Sequence, residues 1–106
     1  MRGDVVTVVL PGDFGKPRPA VILSPAVFAD LPTVVVLPIT SLVRPEVTFR
    51  IDVPADAATG LQVSSQVMAE APMTIRREKV GAPIGRLDAQ TMRRISTVLA
   101  ILLLDE

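Results

Sequence analysis

The fold class of this chain is indicated most clearly by residues 19–38, PAVILSPAVFADLPTVVVLP. This stretch contains two β-branched runs, residues 20–23 and 33–37, and both runs lie next to prolines. Nine residues separate the runs, and two of the nine are proline. A parallel βαβ unit would need a helical pattern of about 10–15 residues between its strands, and none is present. The stretch therefore predicts two short strands of an antiparallel sheet.

Similar short runs lie on both sides of this stretch. Residues 5–10 form a β-type run that ends at a Pro-Gly-Asp turn, and residues 47–53 alternate apolar and polar side chains as a half-buried strand does. Residues 61–68 and 73–75 are further candidate strands. Because the strands are short and no helices separate them, a curled antiparallel sheet or a small β-barrel is favoured.

The last segment changes to a helical period. Asp88 is a candidate N-cap residue, and it is followed by apolar residues spaced three and four apart. These are Met92, Ile95, Leu99 and Leu102. Residues 98–104 are apolar on nearly all sides, so we expect burial on more than one face of the helix. Either a second subunit or the chain's own barrel could supply that burial.

The composition restricts the chemistry that is available. The 106 residues predict a single domain, residues 1–106. The absence of Cys and His excludes thiol catalysis, disulfides, two-histidine acid–base catalysis and most transition-metal sites. Eleven basic residues balance eleven acidic ones, so nucleic-acid binding would need a local patch. With no secretory signal and no apolar run near the ~20 residues of a membrane span, we expect a soluble cytoplasmic protein.

Several polar residues could act on a ligand, although each also has an ordinary structural explanation. Arg18 lies in a loop that leads into a strand, where its planar guanidinium suits phosphate, but it could be a solvated loop residue. Thr40 and Ser41 follow an apolar strand, where hydroxyls reach ligands or serve a turn. The carboxylates of Asp13 and Glu70 could be exposed loop acids. A short basic cluster contains Arg76 and Arg77, and it could be a solvated edge.

The order of short motifs along the chain adds what the single residues lack. RGDV at residues 2–5 is followed by RPAVILS at residues 18–24 and LPITS at residues 37–41. The motifs TGL, SQV, MTI and GRL then occupy residues 59–61, 65–67, 73–75 and 85–87. This series covers almost the whole chain and resembles the MazF/PemK (Kid) family of toxins from prokaryotic toxin–antitoxin operons.

The resemblance implies a fold, an activity and partners. The fold is mainly β, a small SH3-like, CcdB-type antiparallel β-barrel with a C-terminal α-helix, and the protein acts as a homodimer. The implied activity is sequence-specific cleavage of single-stranded RNA, chiefly mRNA, without metal or other cofactor. The implied protein partner is a cognate antitoxin with a disordered acidic tail, and no membrane is involved.

The resemblance also implies roles for particular residues. Arg18 matches the catalytic arginine of the family, Thr40 matches its hydroxyl residue, and the family's acid falls at Glu70. Asp13 matches an acid that some members carry in the first loop. Five residues are expected to contact RNA: Asp13, Lys16, Ser41, Arg76 and Arg77. Attack by the substrate 2′-OH would leave 2′,3′-cyclic phosphate and 5′-OH ends, with Glu70 or Asp13 as the base and Arg18 stabilising the phosphorane.

The chain departs from the family pattern at three places. Val6 replaces the usual Trp after RGDV, the first loop is shortened to residues 12–15, and Met68 stands where PemK-type members carry an Arg. Two other interpretations therefore stay open. One is a non-enzymatic, CcdB-like inhibitor of DNA gyrase, and the other is an inactive member that only binds antitoxin or RNA.

Overall fold

The computed structural model describes residues 1–105, and this part of the chain is mainly β with one C-terminal α-helix. The strands are β1 (Asp4–Val9), β2 (Pro17–Ile22), β3 (Thr33–Thr40), β4 (Ile51–Val53), β5 (Ser65–Val67), β6 (Met73–Arg76) and β7 (Val80–Arg86), and the helix is α1 (Ala89–Leu104). Two single turns of 3-10 helix occupy Ala26–Phe28 and Arg77–Lys79.

All strand pairs in the described residues are antiparallel, and they form one curled sheet in the order β4-β5-β3-β2-β1-β7. β3 pairs with β2 along one edge, while its other edge is shared by β6 at the start and β5 at the end. Within residues 1–105 no pairing joins the edge strands β4 and β7, so the sheet is a half-barrel. The predicted antiparallel architecture with a C-terminal helix is thereby confirmed.

Both faces of the curled sheet are covered. Successive side chains of a strand point to opposite faces, and the neighbours Val5 and Val6 accordingly belong to two separate apolar clusters. The cluster of Val5 contains Ile95, which is the one fully buried residue of α1 among those described. The far end of α1 is different, since four consecutive residues are 47–77% exposed: Ile101, Leu102, Leu103 and Leu104. Within one chain the barrel therefore leaves this part of the helix uncovered.

The structure differs from the sequence-based expectations at three strands. β7 was not predicted, because its sequence VGAPIGR carries two glycines and a proline, which are unfavourable in strands. It pairs with β1 through two register shifts, and one of its pairs joins Pro83 to Val6. β4 is limited to Ile51–Val53, since residues 47–50 form turns, and β5 is limited to Ser65–Val67.

Within the described residues, the structure has no helix with the length and hydrophobicity needed to cross a lipid bilayer.

Candidate active site

A cavity with a volume of about 740 Å³ opens where β2 and β3 separate. The two strands pair from Ala20↔Pro38 to Ile22↔Val36 and no further toward the start of β2. Pro17 and Pro19 carry no N–H, so they cannot donate to a neighbouring strand. If the same register continued, residue 18 would pair with residue 40. The register thus directs Arg18 and Thr40 toward the same gap, and both line the cavity.

Arg18 is held at the mouth of the cavity by the turn that precedes it. Its Nε lies 3.5 Å from Oδ2 of Asp13, which also lines the cavity. Asp13 begins a tight turn in which the N–H of Lys16 donates to the Asp13 carbonyl (2.9 Å). The Arg18 side chain remains 45% exposed. Its remaining N–H groups can therefore meet an anionic ligand from solvent.

Hydroxyl groups line the opposite side of the cavity. The Thr40 Oγ1 accepts a hydrogen bond from the N–H of Leu42 (3.1 Å), which leaves its own O–H free to donate to a ligand. Ser41 follows at the exposed rim. Ser65, at the start of β5, lines the cavity as well, and its hydroxyl donates to the carbonyl of Val63 (2.9 Å).

A close backbone crossing forms one wall of the cavity. Gly60 lines the cavity with a φ of +71°, and a Cβ at this position would collide with the carbonyl of Ile84 in β7. Gly85 faces the same crossing, where a Cβ would collide with the backbone of Thr59. The N–H of Arg86 donates to the carbonyl of Ala58 (2.8 Å). Glycine at these two positions therefore lets the segment before β5 lie directly against β7.

Glu70 lies outside the cavity. Its Oε2 accepts a hydrogen bond from Nε of Arg50 (3.2 Å) and also lies 3.2 Å from Nη2 in the same ion pair, and the Arg50 side chain is only 15% exposed. The other oxygen, Oε1, is buried and has no hydrogen-bond partner among the described residues. The structure thus places Glu70 in an ion pair next to β4, and Asp13 is the carboxylate that meets Arg18.

The two arginines expected to contact RNA lie at the other end of β3. Arg76 pairs in register with Thr33, seven residues from Thr40, which corresponds to about 23 Å along a strand. It also lies 3.6 Å from Glu78. Arg77 donates to the carbonyls of Leu31 (2.7 Å) and Phe28 (3.0 Å), so its guanidinium anchors the loop before β3.

Lys16 is exposed in the turn between Asp13 and Arg18. The structure thus groups four of the predicted site residues around one cavity, with Lys16 beside them. These are Asp13, Arg18, Thr40 and Ser41. No group of three or more acidic, His or Cys side chains that could hold a metal ion occurs in residues 1–105.

Sequence reasoning assigned no role to Ser65 or to Gln62, which also lines the cavity. Gln62 lies outside the recognised motifs, and the SQV motif that contains Ser65 implied no role for this residue. Their place at the cavity follows from the pairing of β5 with the end of β3, which the sequence does not specify.

The arrangement of charges and hydroxyls suits a phosphodiester. A guanidinium offers a fork of donors to phosphate oxygens, and a hydroxyl can donate to the same group from the opposite side. A carboxylate beside the guanidinium can accept a proton. The cavity is open, so it can admit an extended polymer.

Comparison with known proteins agrees with this chemistry. A curated protein of Mycolicibacterium smegmatis, named "Probable endoribonuclease MazF", is 32% identical over 103 residues, which cover 96% of this chain and 94% of the relative. The solved Mycobacterium tuberculosis toxin MazF-mt6 is 27% identical with a TM-score of 0.79, covering 93% of this chain and 94% of that one. A mycobacterial endoribonuclease solved in complex with its cognate antitoxin is 25% identical with a TM-score of 0.80, covering 97% and 93%.

The family model that matches extends over residues 1–103, almost the full length of the chain. It describes PemK-like, MazF-like toxins of type II toxin–antitoxin systems. Since the match takes in the Arg18 strand, the Thr40 strand and the helix together, this chain belongs to the PemK-like, MazF-like toxin family of type II toxin–antitoxin systems.

Proposed function

We propose that residues 1–106 form one toxin domain that cleaves single-stranded RNA, chiefly mRNA, at a short sequence and without a metal cofactor. The observation that supports this proposal most strongly is the meeting of Arg18, Asp13 and Thr40 at one open cavity. The name of the Mycolicibacterium smegmatis relative, an endoribonuclease, points to the same activity. RNA lies in the cytoplasm, and we propose that the toxin acts there.

In the proposed reaction the substrate supplies its own nucleophile. Asp13 accepts the proton of the ribose 2′-OH, whose oxygen forms a bond to the adjacent phosphorus. Arg18 donates hydrogen bonds to the equatorial oxygens of the phosphorane, where negative charge accumulates. Thr40 donates its hydroxyl to the same phosphate and fixes its orientation.

The second half of the step breaks the bond between phosphorus and the 5′ oxygen. Water in the open cavity supplies one proton to that oxygen as it departs, and Asp13 returns the proton of the 2′-OH to water. The products are a 2′,3′-cyclic phosphate and a 5′-OH, with no net change in protons. Lys16 and Ser41, at the rim, contact the backbone on either side of the reacting phosphate.

We also propose two protein partners. One is an antitoxin whose disordered acidic tail folds onto the toxin and covers the cationic cavity. A similar mycobacterial endoribonuclease was solved with its cognate antitoxin, which supports this part. The other is a second copy of the chain, because the exposed apolar end of α1, residues 101–104, would be covered in a homodimer.

The chemistry of the product ends tests the proposed reaction. Purified protein is incubated with a mixed-sequence single-stranded RNA in EDTA, and the new ends are assigned by enzymatic labelling and mass spectrometry. We expect 2′,3′-cyclic phosphate and 5′-OH ends and no cleavage of DNA of the same sequence. Products with 3′-OH and 5′-phosphate ends, or cleavage that requires a divalent ion, would contradict the proposal. Intact RNA would favour an inactive family member.

A further inference from the structure

One row of neighbouring residues crosses three strands beside the cavity. In the sheet register, Gln66 of β5 lies opposite Thr40 of β3 on one side and opposite Asp52 of β4 on the other. Residues directly opposite each other in antiparallel strands have side chains on the same face. The next row, Ile39, Val67 and Ile51, belongs to the apolar core, so Gln66 projects away from that core.

Gln66 is nevertheless among the most buried polar residues, at 2% exposure. The segment that follows Thr40 returns to the Gln66 side chain at Arg44. The N–H of Arg44 donates to Oε1 of Gln66 (2.9 Å), and Nε2 of Gln66 donates to Oδ1 of Asp52 (2.9 Å). The amide thus bridges β4 to the end of the segment 41–44.

The segment 41–44 is held at both ends. At its start, the N–H of Leu42 donates to the Thr40 hydroxyl oxygen, which orients the hydroxyl that faces the cavity. At its end, Gln66 fixes the N–H of Arg44. Ser41, which lines the cavity, lies within the turn that the first of these hydrogen bonds closes.

We propose that Gln66 is a positioning residue for RNA cleavage, because it fixes the segment that orients the Thr40 hydroxyl. The inference rests on the proposed function and adds a residue that does not line the cavity. A buried amide that loses one partner leaves a polar group unsatisfied, so Gln66 favours the folded-back segment over an open one. Arg18 and Asp13 do not depend on this contact, since they pair with each other.

Removal of the amide tests the proposal. Gln66→Met has a similar length and no hydrogen-bonding amide, and Gln90→Met is the matched control on the exposed first turn of α1. We expect Gln66→Met to lower kcat about tenfold or more and to change KM by less than about twofold. Gln90→Met keeps the wild-type values. A wild-type kcat in Gln66→Met would overturn the proposal.

Exchanging the donor and the acceptor of the Gln66–Asp52 hydrogen bond distinguishes a positioning role from a general loss of packing. Gln66→Glu alone places two carboxylates together and is expected to lower kcat as strongly as Gln66→Met. Adding Asp52→Asn restores a donor and acceptor pair with the direction reversed, and the carboxylate at position 66 can still accept from Arg44. We expect the double variant to recover most of kcat. A double variant as slow as Gln66→Glu would contradict the positioning role.

Amide hydrogen exchange provides a measurement that does not depend on activity. The Arg44 amide should exchange about tenfold faster in Gln66→Met than in the wild type, and the amide of Val67 should not change. Unchanged protection at Arg44 overturns the inference even if kcat falls. A wild-type protein that cuts no RNA overturns the proposed function, whereas an active wild type with an equally active Gln66→Met overturns only this inference.

Discussion

At the scale of single residues, the structure separates two carboxylates that look alike in sequence. Asp13 and Glu70 are both acids in short connections, and the resemblance to the family gave both a possible catalytic role. The structure pairs Asp13 with Arg18 at the cavity and Glu70 with Arg50 beside β4. We therefore assign the proton-accepting role to Asp13.

The separation of the two acids predicts different effects of removing their charge. Asp13→Asn should lower kcat for RNA cleavage about a hundredfold or more, in the range typical of a lost general base. Glu70→Gln should lower it far less, because Glu70 does not line the cavity. Asp30→Asn, at an exposed position, serves as the control. Single-turnover cleavage measures these rates, and a larger loss from Glu70→Gln than from Asp13→Asn would refute the assignment.

The site residues that sequence reasoning could reach are those in recognisable motifs. Arg18 and Thr40 stand in short segments with a characteristic order, and their proximity follows from the β2–β3 register. Ser65 and Gln66 could not be assigned roles, because their positions depend on which strand β5 pairs with. The sequence also does not indicate that Arg77 lies away from the cavity, because this follows from its hydrogen bonds to the carbonyls of residues 28 and 31.

At the level of secondary-structure elements, the periodicity of apolar residues predicts most strands and the helix. It does not predict β7, which depends on pairing with β1. β7 forms because it pairs with the free edge of β1, with two register shifts, although its own sequence is unfavourable for a strand. Residues 47–50 have the alternation of a strand, yet the N–H of Arg50 donates to the carbonyl of Val47 in a turn. Local pattern alone cannot represent such competition between turns and sheet pairing.

The turn between β1 and β2 carries backbone strain that a single substitution can relieve. Phe14 and Gly15 have φ angles of +53° and +80°, as in the type I′ turns of hairpins, where Asn-Gly is preferred. The Phe14 side chain is fully exposed and gains nothing from burial. Phe14→Asn should raise the free energy of unfolding by about 1 kcal/mol, as denaturant titration would show. Phe14→Ala keeps the strain, and an equal gain from that variant would argue against this explanation.

The N-terminus of α1 should make stability depend on acid pH. Hydrogen bonds from the backbone and side chain of Thr91 lower the pKa of Asp88 below its ordinary value of 3.8, and Arg93 adds to this effect. A pKa lowered by folding stabilises the folded state above the unfolded pKa, and this stabilisation disappears as pH falls through the lowered pKa.

The test compares the wild type with Asp88→Asn, which keeps a good N-cap residue but removes the titrating group. We expect the difference in melting temperature to favour the wild type near neutral pH and to shrink below about pH 4. Other titrating groups contribute equally to both proteins and cancel in the difference. A difference that stays constant through this range would exclude Asp88 as the cause.

At the scale of the whole molecule, the balance of eleven basic and eleven acidic residues restricts how RNA can bind. A uniform positive field is absent, so affinity must come from the few cationic groups at the cavity, Arg18 and Lys16. The apolar end of α1 is the other large-scale feature. A surface of this kind is unfavourable in water and is typical of an interface.

The proposed homodimer can be tested by a substitution on this surface. Leu103 is 69% exposed, so Leu103→Lys disturbs no core packing in one chain, and a cation suits the C-terminal end of a helix. Sedimentation velocity over a concentration series should show a dimer for the wild type and a monomer for Leu103→Lys. Val27→Lys, at another exposed apolar position, should remain dimeric. A wild-type monomer at all concentrations would contradict the proposal.

We propose that Arg18 stabilises the transition state of metal-independent RNA cleavage in the cavity between β2 and β3. The most direct measurement is the single-turnover rate on single-stranded RNA in EDTA for the wild type, Arg18→Ala and Arg93→Ala, the last on the exposed side of α1. We predict cleavage by the wild type and by Arg93→Ala, and a loss of about a hundredfold or more in Arg18→Ala. Cleavage by Arg18→Ala at the wild-type rate would contradict the account.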